Sequence, residues 1–127
     1  MEPKKLSAKM LSRANDISWY LMTERKQYNA VHLARYLGLK NPTSNSTAAT
    51  IRQLVHYLRV EKDARICSND DGYFWSEEPA DLRACVDWLR GKVATTLSAA
   101  AALERQAERI EEKMIENGED QGELSFT

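Results

Sequence analysis

The sequence has 127 residues, of which 43% are hydrophobic and 29% charged, with five glycines and three prolines. This composition predicts one modest hydrophobic core with an appendage and excludes collagen-like and wholly disordered chains. Residues 1–5 are polar and lead into an amphipathic segment, and no apolar run is long enough for a membrane span or a signal peptide, so we expect a soluble, cytoplasmic protein.

The net charge of −1 conceals an uneven distribution along the chain. Residues 1–65 contain twelve lysines and arginines against five acidic residues, a net charge of +7, so the remainder carries −8. A basic half attracts polyanions such as DNA, whereas an acidic half does not. The alternative is that the charges are segregated without a partner and serve only solubility.

Residues that could carry chemistry are few. Cys67 and Cys85 are too few for a disulfide framework, and with His32 and His56 they lack the spacing of zinc ligands, so we expect small buried thiols, no metal and no cofactor. The sequence has no glycine-rich phosphate loop, no nucleophile elbow and no acid/base pair, so we expect no enzymatic activity.

Three helices are predicted in the first half of the chain. Residues 6–22 form the first, because their apolar residues recur at spacings of three and four. A polar segment follows, and then a short second helix that ends at Gly38, since glycine adopts the left-handed conformation at low cost. After a turn at Asn41 and Pro42, the third helix has this apolar stripe: Ala48, Ile51, Leu54, Val55 and Leu58.

A β-hairpin is predicted next, in residues 64–75. Its alternating strands flank a turn at residues 69–72 that contains Asp71 and Gly72, a strong hairpin signal. Tyr73 and Trp75 should lie on one face of the hairpin and Phe74 on the other. Three helices followed by a hairpin is the order of elements in a winged helix-turn-helix.

A long helix is predicted after Pro79. From Leu82 to Met114 the apolar residues follow an unbroken heptad a/d pattern, which at 33 residues gives a helix of about 50 Å. We predict a coiled-coil homodimer through these residues: Leu89, Val93, Thr96, Ala100, Leu103, Ala107, Ile110 and Met114. The alternative is that the first half packs on residues 6–21 as a core helix and the second half projects alone, with Gly91 at the junction.

Two stretches of the sequence carry a family resemblance. "VHLARYLGL" (residues 31–39) resembles the first helix of helix-turn-helix units. "IRQLVHYLRVEKDARICSNDDGYFW" (residues 51–75) resembles the recognition helix and wing of small winged-helix proteins common in phages and prophages, many of which continue into a long helix. The resemblance covers roughly residues 27–107.

This resemblance implies a mainly α fold with a small β-hairpin, and together with the heptad and charge patterns we predict three regions. These are a winged helix-turn-helix domain in residues 1–76, a long dimerising helix in residues 77–117 and a disordered acidic tail in residues 118–127. The resemblance implies a DNA-binding fold, and with the basic first half and the heptad seam we expect a dimeric transcriptional or replication regulator that binds double-stranded DNA.

DNA binding assigns roles to individual residues. The outward face of the third helix would enter the major groove, where Arg52 could bond guanine, Gln53 adenine, and Ala49 could contact a thymine methyl group. The full set on this face is Asn45, Ser46, Ala49, Arg52, Gln53 and His56, with His56 near the backbone. The predicted phosphate ligands are Arg35, Lys40, Asn41, Thr43, Ser44 and Arg65.

Two features favour a protein partner instead. Asp70 and Asp71 at the tip of the wing would repel phosphates. In addition, residues 124–127, which include Leu124 and Phe126, resemble a degenerate version of the peptide by which bacterial replication proteins bind the sliding clamp, with the glutamine displaced to Gln121 and one apolar residue missing. The alternative function is therefore a protein-interaction module that does not bind DNA, either a replication adapter or a phage-encoded inhibitor of a host machine. For residues 124–127 the alternative is an inert tail.

Overall fold

The computed structural model describes residues 6–118, which are mainly helical with one two-stranded antiparallel hairpin and a long C-terminal helix. In chain order the elements are α1 (Ala8–Glu24), α2 (Ala30–Tyr36), α3 (Asn45–Lys62), β1 (Ile66–Asn69), β2 (Gly72–Trp75) and α4 (Pro79–Glu116). The order of elements predicted from the sequence is confirmed. The predicted clamp-binding peptide, with Gln121, Leu124 and Phe126, and almost all of the acidic tail lie outside the described residues.

The chain divides into two compact units between Val86 and Asp87, within α4. The first unit contains α1, α2, α3, the hairpin and the beginning of α4, and the second contains the rest of α4. Across residues 6–118, no helix combines the length and the apolar character needed to cross a membrane.

The core of the first unit lies between α1, α2 and α3. The predicted apolar stripes supply it, with Ile17 and Leu21 from α1, Leu33 from α2, and Ile51 and Leu54 from α3 all fully buried. Helical periodicity therefore identified the buried face of each helix correctly.

Each of these helices begins where a side chain caps its first turn. The Ser7 hydroxyl accepts a hydrogen bond from the Met10 N–H in α1, and the Ser44 hydroxyl accepts one from the Thr47 N–H in α3. In α2 the Asn29 side-chain oxygen accepts from the His32 N–H at 2.8 Å. Serine and asparagine are preferred at this position because their oxygen satisfies an otherwise unpaired backbone N–H. The predicted stop at Gly38 is also confirmed, since its φ is +72°.

The hairpin pairs Ile66 with Trp75 and Asn69 with Gly72, so its loop consists of two residues, Asp70 and Asp71. The strands thus extend one residue further into the predicted turn on each side. Tyr73 and Trp75, for which the alternating pattern predicted a shared face of the hairpin, both pack against the core.

A third backbone segment joins this hairpin just before α2. The Tyr28 N–H donates to the Tyr73 carbonyl at 2.9 Å, and the Tyr73 N–H donates to the Tyr28 carbonyl at 2.8 Å. The approach requires glycine at position 72, because a Cβ there would lie 2.5 Å from the Tyr28 carbonyl oxygen and the φ of Gly72 is +130°. The connection between α1 and α2 is thereby fixed to the hairpin.

Arg59 of α3 holds the other strand of the hairpin. Its Nε donates to the Ile66 carbonyl at 2.8 Å, and its Nη2 donates to the Ser68 hydroxyl at 2.9 Å. The Ser68 N–H in turn donates to the Cys85 sulfur at 3.3 Å. Cys67 and Cys85 are free and buried, which confirms the sequence prediction for both thiols.

Candidate nucleic-acid interface

The outward face of α3 is the first part of the candidate site. Its buried residues, among them Ile51, Leu54 and Leu58, face the core, so the opposite side of the helix is open to solvent. The structure places all six predicted groove-facing residues on that exposed side: Asn45, Ser46, Ala49, Arg52, Gln53 and His56. They follow one another along a single face because they recur at helical spacing.

The charged residues in this part of the chain are all basic. Residues 25–60, which include α2, the turn and nearly all of α3, contain six lysines and arginines and no aspartate or glutamate. Within this segment Lys26, Arg35, Lys40 and Arg52 are exposed. The first turn of α3 also lacks an acidic residue, so the positive end of the helix dipole is not neutralised there. This segment therefore presents a positive potential.

The turn between α2 and α3 is held by hydrogen bonds. The Ser44 hydroxyl accepts from the Thr47 N–H and donates to the Thr47 hydroxyl at 2.9 Å, and that hydroxyl donates to the Lys40 carbonyl at 3.0 Å. The Ser44 N–H donates to the carbonyl of Asn41, whose φ is +52°. These bonds fix the backbone from which Lys40 projects.

The predicted phosphate ligands differ in their environment. Ser44 is half-buried and its hydroxyl caps α3, so its observed role is structural. The others are exposed: Arg35, Lys40, Asn41, Thr43 and Arg65. Arg35 and Lys40 lie before α3, whereas Arg65 lies at the base of the hairpin.

The hairpin is joined to α3 through the Arg59 side chain, which bonds to Ile66 and Ser68. Burial raises the pKa of Tyr73 above 10.0, and the positive charges of Arg59 and Arg52 oppose this rise. The tip of the hairpin is acidic, with Asp70 and Asp71 exposed. This tip is therefore unsuited to phosphate, as the sequence indicated.

Sequence reasoning missed an aromatic cluster formed by α1, α2 and the connection between them. The rings of Tyr20 and Tyr36 stack at 3.9 Å and those of Tyr28 and His32 at 4.2 Å, while the Tyr20 hydroxyl is 2.8 Å from His32 Nε2. The pKa of Tyr28 is raised to about 12. The largest cause is a hydrogen bond with Tyr20, and desolvation and the charge of Glu24 add to it. The spacing of four residues between positions 28, 32 and 36 was the available signal.

The predicted dimer seam lies on the second unit. Val93, Leu103 and Ile110 expose 58%, 64% and 60% of their surface, and Leu89 is also exposed. The remaining positions of the seam are the exposed Thr96, Ala100 and Ala107 and the half-buried Met114. Cys85 is the buried residue of α4 within the described residues, so this seam is not part of a core.

Comparison of the chain with protein families, with curated proteins and with solved structures found no match. The described residues also contain no group of three or more His, Cys, Asp or Glu side chains placed to hold a metal ion.

Proposed function

We propose that this chain is a winged helix-turn-helix protein that binds double-stranded DNA and acts as a dimeric transcriptional or replication regulator of the phage or prophage type. The observation that carries the proposal is the segment of residues 25–60, which is basic, has no acidic residue, and presents six small or polar side chains on one exposed helix face. Such a surface complements both the phosphates and the base edges of a duplex.

The contacts of the hairpin support its role as a wing. Backbone hydrogen bonds to Tyr28 attach the hairpin to the α1–α2 connection, and hydrogen bonds from the Arg59 side chain attach it to α3. The hairpin is thus held beside the helix that we assign to the major groove, which is what a wing requires. Its acidic tip points to a wing that supports α3 without gripping phosphates at Asp70 and Asp71.

In this proposal α3 reads the bases and the turn before it fixes the register. Arg52 donates to guanine, Gln53 pairs with adenine, and Ala49 packs on a thymine methyl group, because these side chains match the groups displayed in the major groove. Lys40 and Arg35 bind phosphates next to the N-terminus of α3, where the helix dipole also favours an anion. Phosphate contacts position the protein, and base contacts specify the sequence.

The test compares three alanine variants of basic residues by fluorescence anisotropy on selected and unrelated duplexes at several salt concentrations. We expect Arg52→Ala to cost about 1–3 kcal/mol on the selected duplex and to relax its specificity, since it removes a base contact. Lys40→Ala should weaken binding to all duplexes and reduce the salt slope by about 1.

Lys62→Ala is the matched control, because it removes the same charge from the last turn of α3, about 15 Å along the helix axis from Arg52. It should leave specificity unchanged and affect affinity least. Equal effects from Arg52→Ala, Lys40→Ala and Lys62→Ala would contradict the assignment of α3 to the major groove.

The acidic hairpin tip favours a second candidate function. A winged helix with exposed Asp70 and Asp71 could serve as a protein-interaction module, either a replication adapter or a phage-encoded inhibitor of a host machine. Such a module shows no salt-dependent duplex binding, and it loses its partner when α4 is truncated. Fold alone does not decide between the two roles, so the duplex titration does.

A further inference from the structure

The charges of α4 are distributed unevenly along an exposed apolar seam. In the second unit, basic Arg90 and Lys92 precede the middle of the helix, whereas Glu104 and Glu111 follow it. The seam itself exposes Leu89, Val93, Leu103 and Ile110. An exposed heptad seam buries its apolar side chains by pairing with another helix, and the flanking charges determine which helix and in which direction.

The heptad positions follow from the spacing of the seam. Val93, Ala100, Ala107 and Met114 occupy a positions, and Leu89, Thr96, Leu103 and Ile110 occupy d positions. The flanking e positions are Arg90, Leu97, Glu104 and Glu111, and the g positions are Lys92, Ala99, Gln106 and Lys113.

A parallel pair of these helices gains nothing from its charges. In that arrangement each g residue faces the e residue of the next heptad on the other helix. Lys92 then meets Leu97 of the second copy, Ala99 meets Glu104, and Gln106 meets Glu111. No cross-helix pair in the second unit joins opposite charges.

An antiparallel pair brings opposite charges together. Reversing one helix places e opposite e and g opposite g, so that Arg90 faces Glu104 of the second copy, and the symmetry of the dimer repeats this pair. In the same register Leu97 meets its own counterpart, and Val93 packs against Leu103. A shift of one heptad toward the C-terminus would pair Arg90 with Glu111 but would also place Lys92 against Lys113, a like-charge contact that the first register avoids.

We propose that a second copy of this chain covers the seam as an antiparallel coiled coil centred near Leu97, with Arg90 paired to Glu104 of the other copy. Ala99 and Ala100 lie at the centre, where their small side chains allow close approach of the two helices. The proposal specifies the dimer in the proposed function but does not depend on DNA binding, so it stands or fails separately from that function.

Disulfide cross-linking determines the direction and register of the helices. Val93→Cys and Leu103→Cys introduce thiols at exposed seam positions, and wild type is the control because Cys67 and Cys85 are buried. We expect a mixture of the two variants to form a cross-linked heterodimer under mild oxidation, while Val93→Cys alone forms none. Circular dichroism confirms that each variant remains helical.

Other cross-linking outcomes would overturn the proposal. Cross-linking of Val93→Cys to itself indicates parallel helices, and cross-linking of Val93→Cys to Ile110→Cys indicates the register shifted by one heptad. A wild-type chain that sediments as a monomer at the same concentration shows that no second copy covers the seam.

Charge reversal tests the ion pair directly. Arg90→Glu places like charges at two symmetric contacts, and we expect the dimer dissociation constant to rise roughly tenfold. Adding Glu104→Arg should restore dimerisation, and this rescue must act between copies, because the two positions are about 21 Å apart on one helix. Arg105→Glu is the control, since it makes the same charge change at an f position on the far side. A double variant no better than Arg90→Glu contradicts the pairing.

Discussion

The close approach of the hairpin to Tyr28 predicts a large effect of one added methyl group. In Gly72→Ala the new Cβ would lie 2.5 Å from the Tyr28 carbonyl oxygen, at a φ of +130° that side-chain-bearing residues rarely adopt. Because the contact is with backbone, no side-chain rotation can relieve it. The segment at Tyr28 must move away, and this movement breaks both of its hydrogen bonds to Tyr73.

The magnitude follows from these two contributions. A non-glycine residue in such a backbone conformation costs about 1–3 kcal/mol, and loss of the two hydrogen bonds costs about 1 kcal/mol each. Gly72→Ala should therefore lower the free energy of unfolding by about 3–5 kcal/mol, a large share of the roughly 5–15 kcal/mol of a typical domain. The assay is urea unfolding followed by circular dichroism. If the free energy of unfolding falls by about 1.5 kcal/mol per M urea, this loss lowers the urea concentration at the unfolding midpoint by about 2–3 M.

Gly38→Ala provides the matched control. Gly38 also has a positive φ, +72°, but an added Cβ there has nothing within 4 Å. We expect it to cost only the backbone penalty of about 1–2 kcal/mol. An equal loss of stability in Gly38→Ala and Gly72→Ala would refute the reasoning, because the contact with Tyr28 would then contribute nothing.

Three further predictions concern the first unit. Arg59→Met should lower the free energy of unfolding by about 3 kcal/mol in the same titration, since its two bonds to β1 are lost, and Arg59→Lys should not restore both. Ser44→Ala should cost about 1 kcal/mol through the lost cap; no loss would contradict its capping role. Burial raises the pKa of the Cys67 thiol from 9.0 to about 11. The free energy of unfolding should therefore fall as the pH rises from about 9 to about 11, because the unfolded chain loses the thiol proton first. Urea titrations across this pH range should show a shallower fall for Cys67→Ala.

The elements that the sequence predicted correctly depend on local signals. The stripe of α3 repeats at helical spacing, Gly38 stops α2, and Asp71 with Gly72 marks the hairpin. Each of these signals lies within a few residues of the structure that it specifies. The exposed face of α3 followed directly, because it is the complement of the buried stripe.

The contacts that the sequence did not reveal join distant positions. Tyr28 pairs with Tyr73 across 45 residues of chain, and no periodic pattern surrounds it. No sequence pattern distinguishes Arg59 from the other basic residues, although its guanidinium group holds the hairpin strand. A serine hydroxyl suits both phosphate binding and helix capping, and only the geometry of the Ser44 bonds to Thr47 shows that it caps α3.

The proposed function requires that the exposed face of α3 binds duplex DNA. The most direct test titrates the purified full-length chain against a pool of random duplexes at two salt concentrations and sequences the duplexes that are retained. We predict retention that weakens at the higher salt concentration, together with enrichment of a two-fold symmetric sequence read by a dimer. Absence of retention at the lower salt concentration would contradict the claim and assign α3 and the hairpin to a protein partner.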